Sequence, residues 1–185
     1  MNKKLNIDSK WTLFLDRDGV INRRLPGQYV RTWDEFEFLP QVLDAIEIFT
    51  SIFHRIFIVT NQQGIGKELM TEQDLEKVHN SMLSEISNKG GRIDKIYFCP
   101  ALAKDNHPDR KPSTGMIMKA AEDFKDIDLS KSIMVGDSLS DMKLAKNANI
   151  HSVFLTTDLD YPQEAIDIAD MQFTSLIELA NYLKE

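Results

Sequence analysis

Two carboxylates stand two residues apart in Leu13-Phe14-Leu15-Asp16-Arg17-Asp18-Gly19-Val20-Ile21-Asn22. Residues i and i+2 share a face of an extended chain, so Asp16 and Asp18 crowd each other. Crowded carboxylates do not both stay ionised without a cation or a shared proton. The pair therefore predicts a divalent-metal site or a nucleophile beside an acid. An apolar run precedes the acids and a glycine follows them. That puts them at the carboxyl end of a buried strand, where open α/β sheets bind ligands. Arg17, between them, is expected to point the other way in a structural role.

Three further polar clusters follow strands or end the loop after one. Thr60-Asn61-Gln62-Gln63-Gly64-Ile65-Gly66 offers a hydroxyl, amides and glycines that can donate to phosphate oxygens. Taken alone, it reads equally well as an ordinary polar turn. Arg110-Lys111-Pro112 leads into a helix, so Lys111 lies near a helix N-terminus, a favourable place for an anion. Such a pair is usually solvated surface, and its place after a strand is what favours function. Gly136-Asp137-Ser138-Leu139-Ser140-Asp141 follows the apolar Ile133-Met134-Val135. Asp137 is expected as a metal ligand that adds a hard oxygen to the site begun by Asp16. Asp141, four residues on, is read first as a helix-capping acid.

The elements that must position these groups alternate. Strands are expected at Trp11–Leu15, Arg55–Thr60, Ile93–Phe98, Ser132–Val135 and Ser152–Leu155. Helices are expected at Gln41–Ile52, from a Thr71 N-cap to about Asn88, at Thr114–Phe124, at Ser140–Asn147 and from a Ser175 cap to about Leu183. The alternation predicts a three-layer α/β fold, a mostly parallel sheet with helices on both faces. No repeat or linker divides residues 1–185, so one domain is expected.

With 42% hydrophobic and 28% charged residues, the 185-residue chain has an ordinary globular composition. Its net charge of −7 argues against broad nucleic-acid or anionic-membrane binding. The single cysteine excludes an internal disulfide and fits a reducing compartment. Neither a membrane-length apolar run nor an apolar signal core is visible, so a cytoplasmic setting is expected. Nothing in the pattern speaks to oligomeric state. His54, His79 and His151 read as surface or satisfied residues, and the phenylalanines as core. Tyr29 and Trp33, in the Arg23–Phe38 loop, are candidates to fold over the site, against simple loop packing.

The ordered set Asp16-x-Asp18, Thr60-Asn61, Lys111 and Gly136-Asp137-x-x-x-Asp141 resembles the haloacid dehalogenase (HAD) superfamily of phosphohydrolases, over essentially the whole chain. Asp-Arg-Asp-Gly-Val-Ile-Asn, Thr-Asn-Gln-Gln-Gly-Ile-Gly and Arg-Lys-Pro-Ser-Thr-Gly-Met resemble its branch of heptose-bisphosphate and histidinol-phosphate phosphatases. The resemblance implies a Rossmann-like fold and a phosphomonoesterase acting on a small phosphate ester through an aspartyl-phosphate on Asp16. A sugar phosphate such as D-glycero-D-manno-heptose 1,7-bisphosphate is the first expectation. Histidinol phosphate, a polynucleotide 3′-phosphate and a non-catalytic phospho-ligand module are the alternatives. Asp18 would be the acid/base. Thr60 and Lys111 would hold phosphate oxygens, Asn61 would orient the site, and Arg110 would face the rest of the substrate. Mg²⁺ would be held by Asp16, Asp137 and the backbone carbonyl of Asp18.

The chain departs from the branch in two places. Many members bind zinc in the loop before Arg-Lys-Pro, but here only Cys99, His107 and Asp109 remain as allowed ligand types. Zinc is not expected, and Pro100, Pro108 and hydrogen bonds are expected to hold the loop. Ser138 stands where heptose phosphatases often carry Lys. Neither place where HAD enzymes insert a cap has room for a separate cap domain, so the Arg23–Phe38 and Pro100–Asp109 loops should shape an open site.

Overall fold

A computed structural model describes residues 5, 7–156 and 161–184. Six parallel strands form one sheet: β1 (Thr12–Leu15), β2 (Arg55–Asn61), β3 (Lys95–Cys99), β4 (Ser132–Gly136), β5 (His151–Leu155) and β6 (Met171–Phe173). Their order is β3-β2-β1-β4-β5-β6. The chain winds outward from β1 on one side, then returns to build β4, β5 and β6 on the other. The order reverses between β1 and β4, and ligands bind outside the carboxyl ends of the strands at such a point. There Leu15 pairs with both Ile58 and Val135, and the Asp16 amide donates to Val135 O at 2.9 Å.

Alternation along the strands separates two cores. Leu13, Leu15, Ile56, Ile58, Ile133 and Val135 face a layer containing α1 (Val42–Ile52), α3 (Glu72–Asn88) and α7 (Leu176–Lys184). Phe14, Phe57, Val59 and Met134 face α4 (Gly115–Asp123) and α5 (Leu139–Ala148). This is the expected three-layer α/β fold, with the sheet wholly parallel among the described residues. β6 and α6 (Gln163–Ile168) are additions to the sequence expectation. The third strand starts at Lys95, and Asp94 beside it accepts from Ile56 N, Arg55 and Arg92. At α3, Thr71 and Asp74 form a reciprocal capping box, as a Thr N-cap predicts. Between β1 and α1 the one element among the described residues is a 3-10 turn, Trp33–Glu35, whereas between β2 and Lys111 lie α2 (Gln63–Gly66), α3, β3 and a second 3-10 turn, Ala103–Asp105. No described helix is long and apolar enough to cross a membrane.

The face containing Phe57 is aromatic. Phe57 is fully buried, 5.5 Å from the Phe14 ring and 5.0 Å from Phe124. Phe57→Ala should cost about 3–5 kcal/mol, read as a lowered urea midpoint at unchanged slope.

Candidate active site

The four polar clusters converge where the strand order reverses. Asp16 and Asp18 leave β1, Thr60 and Asn61 end β2, and Asp137 leaves β4. Lys111 reaches in from the loop before α4. Its ammonium lies 2.8 Å from Asp16 Oδ1 and 2.7 Å from Asp141 Oδ1, and all three side chains are buried. Burial alone would lower the Lys111 pKa, but Asp141 and Asp16 outweigh it and hold the group charged. Asn61 grips the Lys111 backbone from both sides, accepting from its N–H at 3.0 Å and donating to its carbonyl at 3.2 Å.

Asp141 does more than cap. It sits at the third position of α5 and forms a capping box with Ser138, while its other oxygen meets Lys111. Capping was the expected role; the ion pair adds a second. Two glycines make this approach possible. A Cβ on Gly136 would lie 2.2 Å from Asp141 Cβ. Gly19 has φ +90°, and a Cβ there would lie 1.8 Å from Asp137 Oδ2.

Asp16 and Asp137 are strained by burial. Burial pushes the Asp16 carboxyl up to about 6, partly offset by Lys111. Burial, and then Asp16, push Asp137 well up. Carboxylate oxygens of Asp16, Asp137 and Asp141 lie within 4.8 Å of one another. Asp137 Oδ1 accepts from Arg24 at 2.7 Å, but its buried Oδ2 has no hydrogen-bond partner. Crowded hard oxygens with one unsatisfied fit a divalent cation. Lys111 engages both Asp16 and Asp141, and the α5 cap holds Asp141 besides, so of the three Asp137 is the carboxylate left most open to a cation.

Asp18 lies apart from this crowd. Arg17 Nη2 donates to both its oxygens at 2.9 and 3.0 Å, Asn22 to Oδ1 at 3.0 Å and Gln62 to Oδ2 at 2.8 Å. Burial would raise its pKa, but Arg17, Asn22 and Gln62 prevail and hold it below the usual carboxylate range. Arg17 therefore does not point away from the acids, as the strand alternation predicts. Beyond Leu15 the chain leaves the ladder for a turn, and the fully buried side chain bends back onto Asp18. Gln62 also donates to Thr60 Oγ1 at 2.9 Å, a link that the Thr-Asn-Gln run did not single out.

A cavity of about 540 Å³ opens above these groups, and Arg24, Tyr29, Thr60, Lys67, Arg110 and Lys111 are among the residues that line it. Thirty-eight percent of residues are identical, over 94% of this chain and 95% of the other, in a Campylobacter jejuni protein named D-glycero-alpha-D-manno-heptose-1,7-bisphosphate 7-phosphatase.

The chain belongs to the HAD-like phosphatases.

A Mycobacterium bovis protein of the same name is 37% identical over 92% of this chain and 90% of that one. The HAD-hydrolase-like family profile matches residues 109–179. The crystal structure of D,D-heptose 1,7-bisphosphate phosphatase from B. bronchiseptica, complexed with magnesium and phosphate, superposes with TM-score 0.83 at 28% identity, over 94% of this chain and 98% of that one.

Within this HAD-like phosphatase the two loop candidates part. Tyr29 lines the cavity, whereas Trp33 stacks on Phe36 at 4.8 Å and packs edge-on to Phe38. Loop packing accounts for Trp33. Cys99, His107 and Asp109 lie together, and Asp109 is engaged from outside the trio by Lys119. His107 Nδ1 accepts from the Asp109 amide and is 3.7 Å from the Cys99 sulfur. Burial pushes the Cys99 thiol up, away from the thiolate a metal needs. The loop is held through proline carbonyls, Pro100 O accepting from Gly66 N and Pro108 O from Gly115 N.

Two outcomes test the site. Mg²⁺ at about a hundred times its Kd should stabilise the protein by about 2.7 kcal/mol, and Asp137→Asn should abolish that shift in thermal melts. Gly136→Ala should cost about 1–3 kcal/mol in urea unfolding and depress turnover, because Asp141 must move and take Lys111 with it.

Proposed function

We propose that this protein is a magnesium-dependent phosphomonoesterase that removes the 7-phosphate of D-glycero-D-manno-heptose 1,7-bisphosphate through an aspartyl-phosphate on Asp16. One observation carries the phosphatase chemistry: Lys111 bridges Asp16 and Asp141 while Asp18, two residues on, is turned into a separate set of donors. Like residues at one strand end are thereby given unlike roles.

Asp16 is the nucleophile. Its carboxylate oxygen forms a bond to phosphorus as the ester P–O bond breaks, and Asp18 delivers a proton to the departing alkoxide. Asp18 then takes a proton from water, whose oxygen attacks phosphorus and releases phosphate and free Asp16. Asp18 must gain a proton between its resting state and the first step, and the arriving phosphate dianion supplies the field that raises its affinity for one. Thr60 and Lys111 hold the phosphoryl oxygens, and Asn61 fixes Lys111 from behind. Bound by Asp16, Asp137 and the Asp18 carbonyl, Mg²⁺ would offset charge on the transferring group.

The sugar bisphosphate is favoured by the relatives' names and by charge at the cavity rim. Arg110 donates to neutral acceptors, Ala101 O at 2.9 Å and Gln63 Oε1 at 3.3 Å, and the Lys67 ammonium lies 5.2 Å from the Tyr29 ring centroid. Two cations at the rim of a cavity, in a chain of net charge −7, suit a substrate with a second anion. Arg24, beside Ser138, brings a further cation near the position where the branch often has Lys. The cytoplasm is the proposed setting, since the chain uses a single cysteine and builds no disulfide framework.

Phosphate release should be measured with Mg²⁺ across the α and β heptose bisphosphates, histidinol phosphate and a 3′-phosphorylated oligonucleotide. Heptose bisphosphate should lead. Preference for either other ester would replace the substrate proposed, and silence on all of them would leave a binding module. Asp16→Asn should lose turnover while its circular dichroism stays native. Lys67→Ala should raise KM for the bisphosphate about ten-fold with kcat little changed, the size expected for one charge-assisted contact.

A further inference from the structure

Arg17 is the largest fully buried side chain among the described residues, and such a burial needs partners. One partner is Asp18. The other is on a different layer: Arg17 Nη1 lies 3.2 Å from Nε2 of His79, in the middle of α3. A guanidinium can only donate, so His79 Nε2 must accept and the ring proton sits on Nδ1. Burial, and then the Arg17 charge, push the His79 pKa down to about 3, so the ring stays a neutral acceptor. It is packed edge-on to Phe98 of β3, with ring centroids 6.3 Å apart. Its helix is fixed at one end by the Thr71–Asp74 box and packs on α1.

We infer that His79 is a positioning residue for the proton transfer made by Asp18, acting through Arg17. The chain of contacts runs from the helix layer to the carboxylate. His79 fixes one arm of the guanidinium, and the other arm forks onto both Asp18 oxygens. Asn22 and Gln62 also hold Asp18, but both belong to the loops at the sheet's end. Arg17 alone of these donors ties the carboxylate to α3. His79 is not a cavity-lining residue. Its effect is on where Asp18 stands when the leaving oxygen needs a proton, a geometry in which a shift of about 1 Å costs up to about a hundred-fold.

The inference rests on Asp18 being the general acid, and the experiment separates the two ideas. An ester whose leaving group departs as a stable anion, p-nitrophenyl phosphate, needs little protonation. An alkyl phosphate, such as the sugar ester itself, needs it fully. Asp18→Asn should lose far more kcat/KM, which reports the first phosphoryl transfer and not the shared hydrolysis step, on the alkyl ester than on the nitrophenyl ester; equal losses would remove the acid role and the inference with it. With that selectivity in hand, His79→Leu should lower kcat/KM for the alkyl ester about ten-fold and for the nitrophenyl ester less than about three-fold. His79→Gln, whose carbonyl can accept from Arg17, should recover the alkyl activity. Equal loss on both esters, or no loss on either, would mean that His79 only fills the core. Should His79→Leu fail to fold, ¹⁵N spectra of the parent protein decide. A neutral ring protonated on Nδ1 supports the contact, and a proton on Nε2 overturns it.

Discussion

The Lys111 ammonium between Asp16 and Asp141 is the interaction on which the rest of this structure depends. Three buried carboxylates share a few ångströms at the ends of β1 and β4. Removing charges from water costs several kcal/mol each, and only close opposite charge offsets it. Lys111 supplies one such charge from an unrelated loop, and Arg24 brings another to Asp137. The neighbours are arranged around that need. Asn61 holds the Lys111 backbone, the α5 capping box orients Asp141, and Gly136 leaves room for Asp141 to approach. The crowded carboxylates are thus held together by the well-packed sheet beneath them, and the raised Asp16 carboxyl is one consequence.

Much of this was legible beforehand because it is written in local pattern. Leu13–Leu15, Ile56–Val59 and Ile133–Val135 are apolar runs, and each ends in polar residues that face the site. Strand order was not legible, since right-handed crossovers leave more than one order open. β6 was not legible: it is three residues long and its middle residue is exposed, so it carries no run to detect. Asp141 was half legible, since a capping acid and an ion-pair partner have the same spacing. Arg17 was misread because period-two alternation holds only while the chain is extended, and the strand ends at Leu15. His79 gave no local signal toward Arg17, and Gln62, one of the amides after β2, gave none toward Asp18. Their partners lie 62 and 44 residues away, and only the fold brings them together.

The two acids of the first motif illustrate how environment divides identical side chains. Asp16 is pushed up by burial, with Asp141 adding to it against the pull of Lys111; Asp18 sits among donors and is held down. The arginine between them is the agent of that division. Its amide donates to Asp16 and its guanidinium to Asp18, so one residue addresses both carboxylates through different atoms.

The loop between β1 and α1 has a fixed root and a separate rim. Its root is closed by backbone pairs, Arg23 N to Glu37 O and Leu39 N to Ile21 O, and by the cluster of Trp33, Phe36 and Phe38. The exposed stretch from Arg24 to Gln28 takes little part in that cluster, yet several of its side chains line the cavity. Apart from Arg24, which pairs with Asp137, residues there can change with little cost to the fold. Descendants of one ancestral sheet can therefore acquire new substrate preferences by exchanging a few positions in a single surface strip, while the chemistry below is inherited intact.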